Sequence, residues 1–183
     1  MAFKLSTFTG ALVHGGARPS LFEFKISGAP STVNASLSDV HLYCNVTEIP
    51  PLTLTPIERQ YFGRTVKIPG DLVFADLTTT IINTEKYNVR NEIEKWMEFI
   101  NNTTSNESQT AANFGTGTAQ LVHYQKDGTK TMTYQFEDIW PTTISEIALS
   151  YDTASDIEQF DVTWAYNYYT MSGGTVTTNS TQG

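Results

Sequence analysis

The chain predicts a mainly β protein with one packed helix, and three observations carry that prediction. Aromatics make up 12% of its 183 residues and threonine recurs throughout; both suit a pleated, half-buried surface. From Phe160 to Tyr168 the pattern has period two, with Phe160, Val162, Trp164, Tyr166 and Tyr168 lining one face and Asp161, Thr163, Ala165 and Asn167 the other. Helical period shows persuasively in one stretch, where Val89, Ile93, Trp96, Met97 and Ile100 form a single stripe.

The elements follow in order. In MAFKLSTFTGALVHGG, Ser6, Thr7, Thr9, Gly10 and His14 interrupt any signal-peptide core, so residues 1–18 are expected to form a flexible arm. Leu21 to Ser27 alternates and places Phe22 and Phe24 in the core. Leu42 to Val46 reads as a second strand. Thr47 to Pro56 contains Pro50, Pro51 and Pro56; proline lacks a ladder donor, so this segment reads as a projecting loop. Tyr61 to Ile68 and Leu72 to Ile82 read as a hairpin around Pro69-Gly70-Asp71. The helix is placed at residues 84–101, with Thr84 as its cap, Glu85 at its positive end, and Trp96 as its buried anchor. A polar loop reaches Gly117. Ala119 to Gln125 and Lys130 to Glu137 then flank Asp127-Gly128, a strong hairpin signal. Ile144 to Ser150 reads as a less regular strand and SYDTASD as a turn, and residues 171–183 read as a flexible tail. A length of 183 residues suits one domain spanning 1–183.

Composition narrows the function. The net charge is −8, and beyond Lys130 there is no lysine or arginine but seven acids: Glu137, Asp138, Glu146, Asp152, Asp156, Glu158 and Asp161. Stable nucleic-acid binding needs cations to displace phosphate counterions, so it is disfavoured. Charged residues make up only 16%, low for a monomer whose whole surface faces water, so part of the surface is expected to be covered. Cys44 is single and alternates with Leu42 and Val46, which fits a buried small hydrophobe rather than a disulfide or a reactive thiol. No stretch is apolar enough to span a bilayer as a helix. His14, His41 and His123 stand at no metal-ligand spacing, and no nucleophile elbow, P-loop or dinucleotide fingerprint occurs. The pair Asp156 and Glu158 sits in a turn, where two acids are ordinarily just solvated. The expectation is no enzyme, no cofactor and no metal. A different class stays open: a β-sandwich carbohydrate-binding or adhesin module using Trp164 to Tyr169 as a platform.

Four ordered blocks carry a family resemblance. They are Gly15-Gly16-Ala17-Arg18-Pro19-Ser20-Leu21-Phe22-Glu23; Tyr61-Phe62-Gly63-Arg64 with Ile68-Pro69-Gly70-Asp71; Ile82-Asn83, Val89-Arg90-Asn91, Trp96-Met97 and Ile100-Asn101; and Trp140-Pro141-Thr142 through Ile157-Glu158-Gln159-Phe160-Asp161-Val162-Thr163-Trp164. In this order they resemble the tail tube proteins of contractile-tailed bacteriophages, thinning between Thr103 and Gly117 and after Met171.

The resemblance implies an antiparallel β-barrel or sandwich with one packed helix. It implies a virion component, assembled in the host cytoplasm as hexameric rings stacked into a hollow tube. Its partners would be sheath, baseplate hub, tape measure and terminator proteins, with double-stranded DNA only in transit. The tube protein of a contractile injection or type VI-like system is the near alternative. Within that frame Ile49, Pro50, Leu52, Leu54 and Ile57, apolar residues and a proline in a proline-broken segment, are expected to meet a neighbouring protomer. Glu146, Glu158 and Asp161 are candidates for an acidic lumen wall.

Overall fold

The computed structural model describes residues 4–12, 15–30, 33, 37–105, 107–108, 115–152 and 156–173. Helix α1 (Leu5–Ala11) precedes β1 (Phe22–Ile26). A 3-10 turn (Leu37–Asp39) runs into α2 (Val40–Tyr43), followed by β2 (Cys44–Thr47), β3 (Leu52–Tyr61), β4 (Arg64–Phe74) and β5 (Leu77–Ile82). Then come α3 (Asn88–Ile100), β6 (Gly117–Tyr124), β7 (Lys130–Ile144), β8 (Gln159–Ala165) and β9 (Tyr168–Gly173).

All strand pairs among the described residues are antiparallel, and those other than β3–β4 make two packed layers rather than a closed barrel. One layer runs β1-β6-β7-β9 and the other β2-β5-β8-β7, so β7, 15 residues long, belongs to both. Its change of layer occurs at Asp138, whose φ of 54° lies in the left-handed region that aspartate tolerates better than most residues. The Asp138 carboxylate accepts from Thr116 Oγ1 at 3.4 Å and Asn167 Nδ2 at 2.8 Å, and the β6–β7 register shifts beside it. The Asp127-Gly128 turn joins β6 to β7 as expected, with Gly128 at φ 83° and Thr129 N–H donating to Asp127 Oδ1.

The core lies between the layers under α3. Phe24, Phe136, Ile139, Val162, Trp96 and Trp164 are fully buried, each large side chain contributing about 1.5–3 kcal/mol by leaving water. Trp164 packs on Phe24 at 6.1 Å and on Trp96 at 5.8 Å between ring centroids. Phe22 departs from its expected place: it is only partly buried and packs against the core from its margin.

Several element boundaries also differ from expectation. Leu42 lies in α2 and is 67% exposed, so the second strand begins at Cys44. Leu72 to Ile82 is two strands, broken at Ala75-Asp76. Helix α3 starts at Asn88 rather than Thr84: Tyr87 N–H donates to the Thr84 carbonyl and Tyr87 sits at φ 53°, so residues 84–87 form a turn. The Thr84 hydroxyl is buried and caps nothing. Strand β7 ends at Ile144, and residues 145–150 are not a strand. The alternating run from Phe160 also breaks. Asn167 N–H donates to Glu137 O, turning the chain onto the other layer as β9, so Tyr168 is 47% exposed instead of continuing the buried face. Strand β9 takes in Met171 to Gly173 of the expected tail, and residues 174–183 lie outside the described residues. In the expected arm, residues 5–11 are helical with no buried residue.

Candidate functional site

The segment expected as a proline-broken loop is the first half of a long hairpin. Strands β3 and β4 pair from Leu52↔Phe74 to Tyr61↔Arg64, and no other described strand pairs with them. The turn is Phe62-Gly63, not Pro69-Gly70-Asp71. Both turn residues have positive φ, 43° and 76°, the two-residue geometry whose twist matches antiparallel strands. Pro56 and Pro69 oppose each other beside a register shift, and a two-stranded ribbon tolerates them because each strand has one edge facing solvent. Gly70 is required there, since a Cβ would come within 2.5 Å of the Thr55 carbonyl oxygen.

The hairpin is apolar yet stands in water. Leu52, Leu54, Ile57, Tyr61, Phe62, Val66, Ile68, Leu72 and Val73 are all exposed, Phe62 at 91%. Its root is held by Phe74, which packs edge-on against Tyr166 and Tyr169, and by Tyr166 OH donating to the Ala75 carbonyl at 2.6 Å. Pro50 is buried at the root, while Ile49 is 51% exposed and walls an open groove of about 370 Å³ together with Pro19, Phe22, Leu121 and Tyr134. Contiguous exposed apolar patches are a common feature of interaction surfaces.

The three candidate acids fall in different settings. Glu158 is half-buried and accepts from Asn83 Nδ2 at 2.9 Å and Tyr87 OH at 2.8 Å, tying the β5–α3 turn to β8. Asp161 lies on the outer face of β8 and accepts from Thr80 Oγ1 at 2.6 Å. Glu146 is exposed on the connection between β7 and β8. Around Asp161 the outer face is built of hydroxyls: Thr78 pairs with Thr163, Thr80 with Asp161, and Thr143 with Thr163. No lysine or arginine occurs in β2, β5, β8 or the 140–144 half of β7. The other layer carries Lys25, paired with Glu23 at 2.9 Å.

Trp164 and Tyr166 are buried, so these two rings are closed to a sugar. Strands β1, β2 and β9 each have a single partner strand among the described residues, leaving edges that pair readily with another chain. A sequence model described as "Phage tail tube protein" matches residues 17–172.

The chain belongs to the phage tail tube protein family. Among its relatives, tail tube protein gp19 of Enterobacteria phage T4 is 27% identical over 155 residues, covering 84% of this chain and 90% of that one. The tail tube protein of Serratia phage KSP90 is 27% identical over 161 residues, covering 85% and 90%. The fold resembles the PVC sheath-tube complex of an extracellular contractile injection system in its extended state, with TM-score 0.59, 16% identity, and coverage of 94% of this chain and 100% of that one. It also resembles the tube-terminating cap of the anti-feeding prophage, with TM-score 0.63, 12% identity and 95% coverage of both chains. As a phage tail tube protein the chain is a structural component of the virion.

Proposed function

We propose that this protein is the repeating subunit of the inner tube of a contractile tail, with six copies closing a ring and rings stacking into a hollow conduit for double-stranded DNA. The observation that carries this reading is the hairpin, an exposed apolar arm that, beyond its root, pairs with no other strand among the described residues. Free edges at β1, β2 and β9 suit pairing around a ring. A head-to-tail contact that closes makes a ring, and one that does not close makes a filament. Sheath, baseplate hub, tape measure and terminator proteins are the partners such a tube requires, and the role is structural rather than enzymatic.

We assign the lumen wall to the outer face of β5 and β8. Its hydroxyls and Asp161 offer a passing duplex no cation to displace phosphate counterions; repulsion screened over about 8–10 Å acts near the wall. Of the three candidate acids Asp161 fits this role best, because Glu158 is engaged by Asn83 and Tyr87 and Glu146 stands off the strands.

Negative-stain electron microscopy and sedimentation of the purified chain test the reading. Tubes or rings are expected. Leu52→Asp with Leu54→Asp should leave far-ultraviolet circular dichroism unchanged and abolish stacking. Tubes formed normally by that variant would remove the hairpin from the assembly.

A further inference from the structure

We propose that the distal half of the hairpin docks on residues 145–152 and 156–158, the described parts of the acidic connection between β7 and β8, of a second copy of the chain. This rests on the hairpin being an inter-protomer element and names what it meets.

Topology places the two surfaces at opposite ends of one layer. The register of β5 on β8 runs from Leu77↔Trp164 to Ile82↔Gln159, a span of about 17 Å at 3.4 Å per residue. The hairpin leaves at the Leu77 end. The connection leaves β7 after Ile144, which pairs with Val162 and points toward the Gln159 end. Strand β3, ten residues long, reaches about 31 Å and, beyond its root, stays exposed along its length. It therefore extends away from its own connection, and the copy stacked ahead of it brings that copy's connection within reach.

The two surfaces also match in chemistry. Directly opposed residues share a face, so Ile57↔Ile68, Arg59↔Val66 and Tyr61↔Arg64 put three aliphatics, a tyrosine and two arginines on one side of the distal ribbon. The other side is already satisfied, with Lys67 on Glu58 at 3.1 Å and Gln60 on Thr65 at 2.8 Å. Arg59 and Arg64 have no ion pair among the described residues. The connection offers the complement: Leu149 and Ile157 are 77% and 69% exposed, Tyr151 is fully exposed, and Asp152 and Asp156 stand beside them. Residues 145–158 contain four acids and no base. Because the cationic surface and its complement occupy different ends, like ends repel and head-to-tail stacking is selected.

Charge reversal tests the pairing in the full chain. Arg59→Glu with Arg64→Glu, and separately Asp152→Arg with Asp156→Arg, should each raise the protein concentration needed for tube formation by about tenfold or more. A chain carrying all four changes should return close to the wild-type value. A companion variant, Ile57→Asp with Ile68→Asp, tests the hairpin independently of its partner. If that variant blocks assembly while the four-change chain shows no rescue, or while reversal at 152 and 156 has no effect, the docking partner is wrong and the hairpin role stands. If the Ile57 and Ile68 variant assembles as wild type, the role of the hairpin itself falls.

Discussion

Replacing Trp164 by phenylalanine dissects the centre of the core. Trp164 and Thr79 are both fully buried, and the indole N–H donates to Thr79 Oγ1 at 2.9 Å. Phenylalanine keeps a ring packed between Phe24 and Trp96 but removes roughly 40 Å³, which at about 24 cal/mol per Å³ costs about 1 kcal/mol. It also strands the Thr79 hydroxyl, adding about 1–3 kcal/mol. The expected loss is therefore about 2–4 kcal/mol. Thr79→Val strands the indole N–H instead and should cost about 1–3 kcal/mol. With both changes no polar group is orphaned and only the packing cost of about 1 kcal/mol is left, so the double variant should be less destabilised than the sum by about 2 kcal/mol or more. Urea unfolding, below the concentration at which tubes appear by sedimentation, measures all four chains with a common slope. Additivity within about 0.5 kcal/mol would mean that the hydrogen bond contributes nothing.

Further outcomes follow from single groups. Cys44 is only partly buried, at the margin of the core; desolvation there pushes its thiol up to about 12, so at pH 8 it should react with a thiol reagent on the order of 100-fold more slowly than a free cysteine, and equal rates would contradict that shift. Burial likewise pushes Tyr166 up to about 12. The folded chain keeps a proton that the unfolded chain releases near 10, so stability should be intact below about pH 10 and fall as pH rises toward 12. Tyr124 shifts in the same direction through its bond to Glu23. Phenolate absorbance during alkaline titration, alongside unfolding, should show these groups ionising late; ionisation of all tyrosines near pH 10 in the folded chain would refute the shift. Phe62→Asn places a residue suited to positive φ in the hairpin turn and should slow amide exchange along β3 and β4 by an amount equivalent to about 1 kcal/mol; unchanged exchange would mean the turn is not strained.

Much of the body was legible because burial on one face imposes period two or 3.6 on the side chains. The Phe24, Trp96 and Trp164 core and the α3 stripe came from that constraint, and the Asp127-Gly128 turn from the positive φ that glycine supplies. The hairpin was not legible as strands, because in a ribbon exposed on both faces neither face has to be uniformly apolar. Its prolines then argued for a loop, although Pro56 and Pro69 simply face each other at a bulge. Phe62-Gly63 was the signal available, since the glycine supplies a positive φ. The exposed apolar residues Ile49, Leu52, Leu54 and Ile57 were nevertheless found from the opposite direction, as hydrophobes that their own domain had no use for. The settings of Glu158 and Asp161 depend on Tyr87 and Thr80, 71 and 81 positions away, and local spacing carries no information about contacts of that range.

Strand β7 gives the subunit an uninterrupted load path. Its first half is laddered to β6 and β9, and its second to β8, so one covalent backbone passes through both layers. A pull along the strand that enters through β9 and leaves through β8 is carried past Asp138 by peptide bonds rather than by side-chain contacts between the layers. The ladders on either side are then loaded in shear, where many hydrogen bonds must yield together instead of peeling one at a time. In a tube built as proposed, this arrangement directs strain toward the surfaces where copies meet.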